Sequence, residues 1–355
     1  MAVAQGPGTN DTVWSAQDTT PAEVESALQR LLIERHAENG GYVPARVLNL
    51  VCIVERQWSG EIANRLRRVG RYAPSRTIVC AVSEGRTTID AVARVAARTT
   101  PHDGQHVLTH ETVVLDLGPD HLAHLETIVD PLVITDLTTL VWAPHGHWEA
   151  VEALRRMSQC VLVDSADDPD VAGALRRAQT LLADRYVVDL AWLRTTPWRD
   201  RMAMLFDPPH RRRRLEEIAA LRIRNAPESG AAALLFCGWL TSRLSWPIGQ
   251  LTRDGRGRAI GAMGEIAVRL ESVRLDVPGL EGVTLEFRDG AEISLDRGAG
   301  GLHATSRQAD GVVRSWTLLG ASRGEGGILG EGMRQSLLRD PTYREALDAA
   351  AAMLT

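Results

Sequence analysis

The sequence predicts an α/β domain built on a mixed, mostly parallel sheet with helices, followed by an α+β domain that combines helices with an antiparallel sheet. Three observations carry this reading. Short, nearly continuous apolar runs alternate with helical stripes from residue 20 to about 190, which is the pattern of crossover units. The texture changes at Asp207-Pro208-Pro209. From 260 to 320 the segments alternate with a period of two around Asp289-Gly290, the strongest hairpin-turn signal in the chain. The expected organisation is a disordered tail over 1–19, an α/β domain over 20–205 and an α+β domain over 206–355.

In chain order, residues 1–19 are rich in Gly, Asn, Thr, Asp and Ser and show no periodicity. Thr20-Pro21-Ala22-Glu23 reads as a capping box, and Val24, Ala27, Leu28, Leu31 and Leu32 form the stripe of the helix it opens. Val47–Val54 (VLNLVCIV) reads as a strand covered on both faces. A helix over 59–70 (Ile62, Leu66, Val69) and a second buried strand over 77–82 complete a crossover unit, which implies parallel pairing. Residues 87–99 and 106–117 flank His102-Asp103-Gly104 and read as an antiparallel hairpin on the sheet edge. Helix 119–130, strand 138–143, helix 148–158, strand 160–164 and helix 169–184 continue the alternation, with Asp168 as cap and Pro169 as the start of the last helix.

The organising stretch is 187–206, VVDLAWLRTTPWRDRMAMLF. It opens on an apolar run and turns at Thr195-Thr196-Pro197. A helix follows, with Pro197 in its first position, Thr196 capping it, and Trp198, Met202, Leu205 and Phe206 on one apolar face. Beyond it, Leu215–Arg224 reads as a strand and 227–244 as a helix apolar on most sides, hence buried. A glycine-rich loop, Gly324–Gly332, leads into a closing helical pair over 331–339 and 342–353.

Composition narrows the chemistry. All 40 cations are arginine, because the chain has no lysine. That excludes Schiff-base lysine chemistry and a Walker-type phosphate loop. A net charge of −5 offers no basic face for nucleic acid, and the longest apolar stretch, 231–240, is too short to cross a bilayer. The N-terminus lacks a signal-peptide pattern, so a cytoplasmic protein is expected. Cys52, Cys80, Cys160 and Cys237 stand far apart in apolar runs and read as reduced core thiols, with a redox switch as the alternative.

Gly324–Gly330 and Gly255-Arg256-Gly257 both miss the dinucleotide fingerprint, and no nucleophile elbow or H-E-x-x-H occurs. His145-Gly146-His147 has the spacing of a metal dyad, yet loop histidines explain it more simply. No catalytic, cofactor or metal residue is therefore assigned. Arg211–Arg214 reads as a solvated basic run, with a phosphate or acidic-partner contact as the alternative.

Seven segments resemble the glucose-6-phosphate dehydrogenase assembly protein family, OpcA: ARVLNLVCIV (45–54), APSRTIVC (73–80), LVITDLTTLVWAPH (132–145), VLVDSAD (161–167), DLAWLRTTPWRDRMAMLFD (189–207), AALLFCGWLTSRLSW (232–246) and DPTYREAL (340–347). The most specific is D-L-x-W-x-R-x-x-P-W-R, carried by Asp189, Leu190, Trp192, Arg194, Pro197, Trp198 and Arg199. The chain departs from the family's W-W-P-G-like turn with Trp142-Ala143-Pro144-His145. The resemblance implies a non-catalytic, cofactor-free partner that promotes assembly or activation of the dehydrogenase of the oxidative pentose phosphate pathway. The tryptophan and arginine enrichment, with Arg76 on the P-S-R turn, nominates Arg76, Trp142, Arg194, Trp198 and Arg199 as partner-binding residues, because such side chains dominate protein–protein hot spots; the alternative for each is structural, a buried tryptophan or an arginine paired with Asp189 or Asp200. The alternative is an α/β enzyme or sensor that binds a sugar phosphate or nucleotide beyond the strand C-termini.

Overall fold

The capping box forms as its sequence requires. The Thr20 amide donates to Glu23 Oε2 at 3.0 Å, and the Glu23 amide donates to Thr20 Oγ1 at 3.4 Å. The structure, a computed structural model, describes residues 12–38, 46–69, 74–99, 107–319 and 324–354. It divides into two compact units. One holds the chain up to Val163 with Arg185–Val188 and Leu329–Leu338. The other holds Asp164–Asp184, Asp189–Ile328 and Arg339–Thr355.

The first unit is built on an eight-stranded sheet. Its strands are β1 (Thr12–Ala16), β2 (Leu48–Glu55), β3 (Ser75–Val82), β4 (Asp90–Thr99), β5 (Val107–Leu117), β6 (Thr138–Trp142), β7 (Cys160–Val163) and β8 (Tyr186–Asp189). They lie in the order β1-β4-β5-β3-β2-β6-β7-β8. The pairs β5/β3, β3/β2, β2/β6 and β6/β7 are parallel, and β4/β5 and β1/β4 are antiparallel. Every residue from Leu48 to Val54 is buried, the signature of a strand covered on both faces. Helix α1 (Pro21–Glu38) packs on β4 through Val24, Ala27, Leu28 and Leu31, and α2 (Ser59–Val69) is the crossover from β2 to β3. Burial pushes the Cys80 thiol up to about 12, and that of Cys52 well above its ordinary value.

Three expectations change in this unit. Thr12–Ala16, expected within the tail, is an edge strand: Thr12 to Ala16 pair with Val95 to Ala91, because a sheet edge asks for backbone donors and acceptors rather than an apolar run. The expected helix over 119–130 breaks into a 3₁₀ segment, Pro119–His124, and the short α3 (Leu125–Val129). The one expected over 148–158 stops early, as α4 (Trp148–Ala153). The turn expected at His102-Asp103-Gly104 lies outside the described residues.

The second unit opens with α5 (Val171–Leu181). Its cap is Asp170 rather than Asp168: Asp170 Oδ1 accepts from the Gly173 amide at 2.9 Å, while Asp168 pairs with Arg177 at 3.2 Å. Next come α6 (Leu190–Arg194), α7 (Thr196–Leu205), α8 (Pro209–Arg212), β9 (Ile218–Asn225) and α9 (Gly230–Arg243). The rest of the sheet is β10 (Arg256–Gly261), β11 (Gly264–Ser272), β12 (Leu280–Phe287), β13 (Glu292–Gly298), β14 (Gly301–Arg307) and β15 (Val313–Leu319). The order is β10-β11-β9-β12-β13-β14-β15, antiparallel except for β9/β11. Gly290, at φ 84°, turns the β12–β13 hairpin as Asp289-Gly290 predicts.

Helix α9 is buried along its length and crosses α11 (Tyr343–Ala352) closely. A Cβ on Gly238 would meet the Ala346 carbonyl oxygen at 2.1 Å, so only glycine admits this approach. The glycine run expected as a loop is instead the start of α10 (Gly324–Leu338): the glycines' low helix propensity is overridden by the helix they begin.

Candidate functional site

The D-L-x-W-x-R-x-x-P-W-R segment forms a closed polar knot. Asp189, fully buried, ends β8 and caps α6. Its carboxylate accepts from the Ser165 amide (3.1 Å), Ser165 Oγ (2.6 Å), the Ala191 amide (2.9 Å) and the Tyr343 hydroxyl (3.0 Å). Burial, and then the neighbouring Asp164 charge, push Asp189 up to about 6 against the pull of these donors. Asp164 is itself clamped by Arg194 through two parallel bonds of 2.7 and 2.6 Å.

One turn on, Trp192 Nε1 donates to Asp340 at 2.9 Å, and the Arg199 guanidinium lies 3.4 Å from the centre of the Trp192 ring. Arg199 also donates to Thr195 Oγ1 at 3.0 Å and to Thr196 Oγ1 at 2.9 Å. Burial lowers Arg199 to about 10, so it stays charged at neutral pH. The helix after the turn has Thr195 rather than Thr196 at its cap, without a side-chain bond, and Pro197 in its first turn. Trp198, Met202, Leu205 and Phe206 are all buried, as their spacing predicts.

The residues nominated for partner contact are therefore placed inside. Trp198 is 4% exposed, Arg199 8%, and Arg194 lies against Asp164. In the first unit Trp142 is 4% exposed at the end of β6, in register with Cys52 and Leu162. Arg76 is 3% exposed, donating to Glu111 at 2.8 Å and to the Leu132 carbonyl at 2.9 Å, with Glu25 at 3.3 Å. Arg194, Trp198 and Arg199 belong to one neighbourhood; Arg76 and Trp142 each lie elsewhere, in the sheet of the first unit.

A second arrangement sits at the carboxyl edge of that sheet. The chain leaves β2 for β3 on one side and returns to β6 on the other, so the strand order reverses between β2 and β6, the usual place for a binding crevice. There the Glu55 amide donates to His145 Nδ1 at 3.3 Å, and His147 Nε2 lies 3.1 Å from Glu55 Oε1. His147 Nδ1 is 3.5 Å from Glu149, and the rings of Trp58 and His145 are 6.1 Å apart. Burial, and then His147, hold His145 below its ordinary value. With Nδ1 accepting from the Glu55 amide, its neutral form carries the proton on Nε2.

The turn from β2 into α2 reads Glu55-Arg56-Gln57-Trp58-Ser59-Gly60, with arginine and tryptophan where a dinucleotide fingerprint places glycine. Among the described residues no three His, Cys, Asp or Glu side chains gather to hold a metal ion. Beside Arg56 lies a cavity of about 510 Å³, also lined by Ser15, Gln17, Asp90 and Asp116. Of these groups, sequence reasoning noted only the histidines; Trp58 and its carboxylates were missed.

Fold and site thus define a two-unit α/β protein with a buried tryptophan–arginine knot and, at the turn from β2 into α2, arginine and tryptophan in place of a glycine cradle. Family models for the N-terminal domain (residues 67–180) and the C-terminal domain (185–347) of a glucose-6-phosphate dehydrogenase subunit both match, and the chain belongs to this OpcA family. A protein of Synechococcus elongatus named for the OxPP cycle, OpcA, is 29% identical over 172 residues, covering 47% of this chain and 39% of the relative. Its Synechocystis namesake is 30% identical over 141 residues, 38% of this chain and 30% of the relative. The chain thus matches well under half the length of either. The transcriptional regulator Gal80p of Kluyveromyces lactis superposes with a TM-score of 0.47 at 10% identity, covering 87% of this chain and 88% of that one. Among the described residues no helix is long and apolar enough to cross a membrane.

Proposed function

We propose that this protein is a non-catalytic, cytoplasmic partner of glucose-6-phosphate dehydrogenase that promotes assembly or allosteric activation of the oligomeric enzyme in the oxidative pentose phosphate pathway. The observation that carries the reading is the family match running from residue 67 to 347, in which both halves are described as parts of a dehydrogenase subunit. The absence of lysine and of a glycine cradle at β2 supports a binding role over catalysis. Activation then follows from differential affinity: the protein binds one conformation or oligomer of the enzyme more tightly and shifts the population towards it. Arg76, Trp142, Arg194, Trp198 and Arg199 serve this contact as positioning residues that hold the surface in shape. Mixing the two purified proteins is expected to raise dehydrogenase velocity or oligomer size. If rate, substrate affinity and size are all unchanged, the reading fails.

The cavity beside Arg56 favours a second reading, a small-molecule sensor. Thermal-shift measurements with glucose 6-phosphate and NADP, in the absence of the dehydrogenase, decide it: a rise of several degrees supports a ligand site, and no rise removes it.

A further inference from the structure

Of the nine tryptophans in the chain, Trp58 alone is exposed, at 45%. It stands just after β2 at the reversal of strand order, and its indole tilts at 44° to the His145 ring. The surroundings are acidic. Glu55, Glu61 and Glu149 keep 40%, 48% and 58% of their side chains exposed around the two histidines. Among the described side chains, Arg65 lies 2.8 Å from Glu61, His147 stands 3.1 Å from Glu55 and 3.5 Å from Glu149, and Arg56 is drawn away to Asp116 at 2.8 Å. Three half-exposed carboxylates among these side chains stand near the electron-rich indole face, a setting that repels phosphate and attracts an ammonium or guanidinium group.

We propose that Trp58, with Glu55, Glu61 and Glu149, seats an arginine or lysine side chain of the partner enzyme. This rests on the reading of the protein as a dehydrogenase partner and names the contact for it. The cation lies over the indole, the carboxylates balance its charge, and the Nε2 proton of His145 orients an acceptor beside it. An exposed aromatic beside half-exposed carboxylates has the composition of an interface hot spot.

The test is binding of the full chain to the purified dehydrogenase, by biolayer interferometry at 50 and 200 mM salt. Trp58→Ala is expected to weaken binding at least tenfold, mainly through faster dissociation, and Trp58→Phe to recover most of the loss. The double variant Glu61→Gln/Glu149→Gln is expected to weaken binding severalfold at 50 mM salt and to flatten its salt dependence. Circular dichroism and the Tm of each variant confirm that it folds. If the unaltered protein binds while Trp58→Ala binds equally well, the assigned seat is overturned and the partner reading stands. If the unaltered protein fails to bind, the partner reading itself falls, and the seat falls with it.

Discussion

The knot at 189–199 and the rim at 55–61 and 145–149 are made of the same residue types and behave in opposite ways. In the knot, Trp192 is 2% exposed, its indole nitrogen is bonded to Asp340, and its face is covered by Arg199. Each arginine there faces a carboxylate of the same chain, Arg194 on Asp164 and Arg199 on Asp340. In the rim, a tryptophan stays 45% exposed near Glu55, Glu61 and Glu149, each at least 40% exposed. The lesson is that tryptophan and arginine make a contact surface only where their pairing is left incomplete. Where it is complete, they build the fold.

The largest predicted effect tests the first half of that contrast. Trp192→Ala removes a fully enclosed side chain and leaves Asp340 and Arg199 partly uncompensated. It is expected to lower stability by about 3–5 kcal/mol, read by urea denaturation. Any loss of dehydrogenase stimulation should then track the fraction unfolded. A stable, well-folded Trp192→Ala protein that no longer binds would instead place the contact in the knot and break the comparison.

Next in size is the pH dependence of Asp189. Its folded value of about 6 lies above its ordinary value of 3.8. Between about pH 4 and 6 the native state therefore holds a proton that the unfolded chain has released. Stability from this group is fully present below about pH 4 and is lost as pH rises through 6, by roughly 3 kcal/mol at 1.36 kcal/mol per pH unit. Asp189→Asn, neutral throughout, should flatten that part of the stability curve in denaturant titrations. An unchanged slope would mean that the four donors hold the carboxylate ionised despite its burial.

How much of this was legible in sequence varies with the kind of signal. The buried strands were, because β2 and β3 are covered on both faces and need continuous apolar runs. The capping box and the Asp289-Gly290 turn were, because each is a local device with its own residue types. The edge strand Thr12–Ala16 was not: its partner, Ala91–Val95, lies some eighty residues away, and its own composition is that of a tail. The fate of the Trp/Arg motif was hidden for a related reason. Whether Arg199 meets solvent or Asp340 depends on a residue 141 positions further on. Trp58 was missed because no local signal sets it apart: it stands just before the helix that begins at Ser59, and its exposure follows from the fold rather than from its neighbours in sequence.

The smallest predicted effect sharpens the other half of the contrast. A side chain this exposed should leave folding nearly untouched when truncated, so Trp58→Ala is expected to change stability by no more than about 0.5 kcal/mol. The same denaturation protocol that reports several kcal/mol for Trp192 serves as its internal scale. A drop for Trp58→Ala of the size seen for Trp192→Ala would mean that its indole braces the start of α2 or the His145 loop. The two tryptophans would then differ in exposure without differing in role, and exposure would lose its value as a guide to the contact surface in this chain.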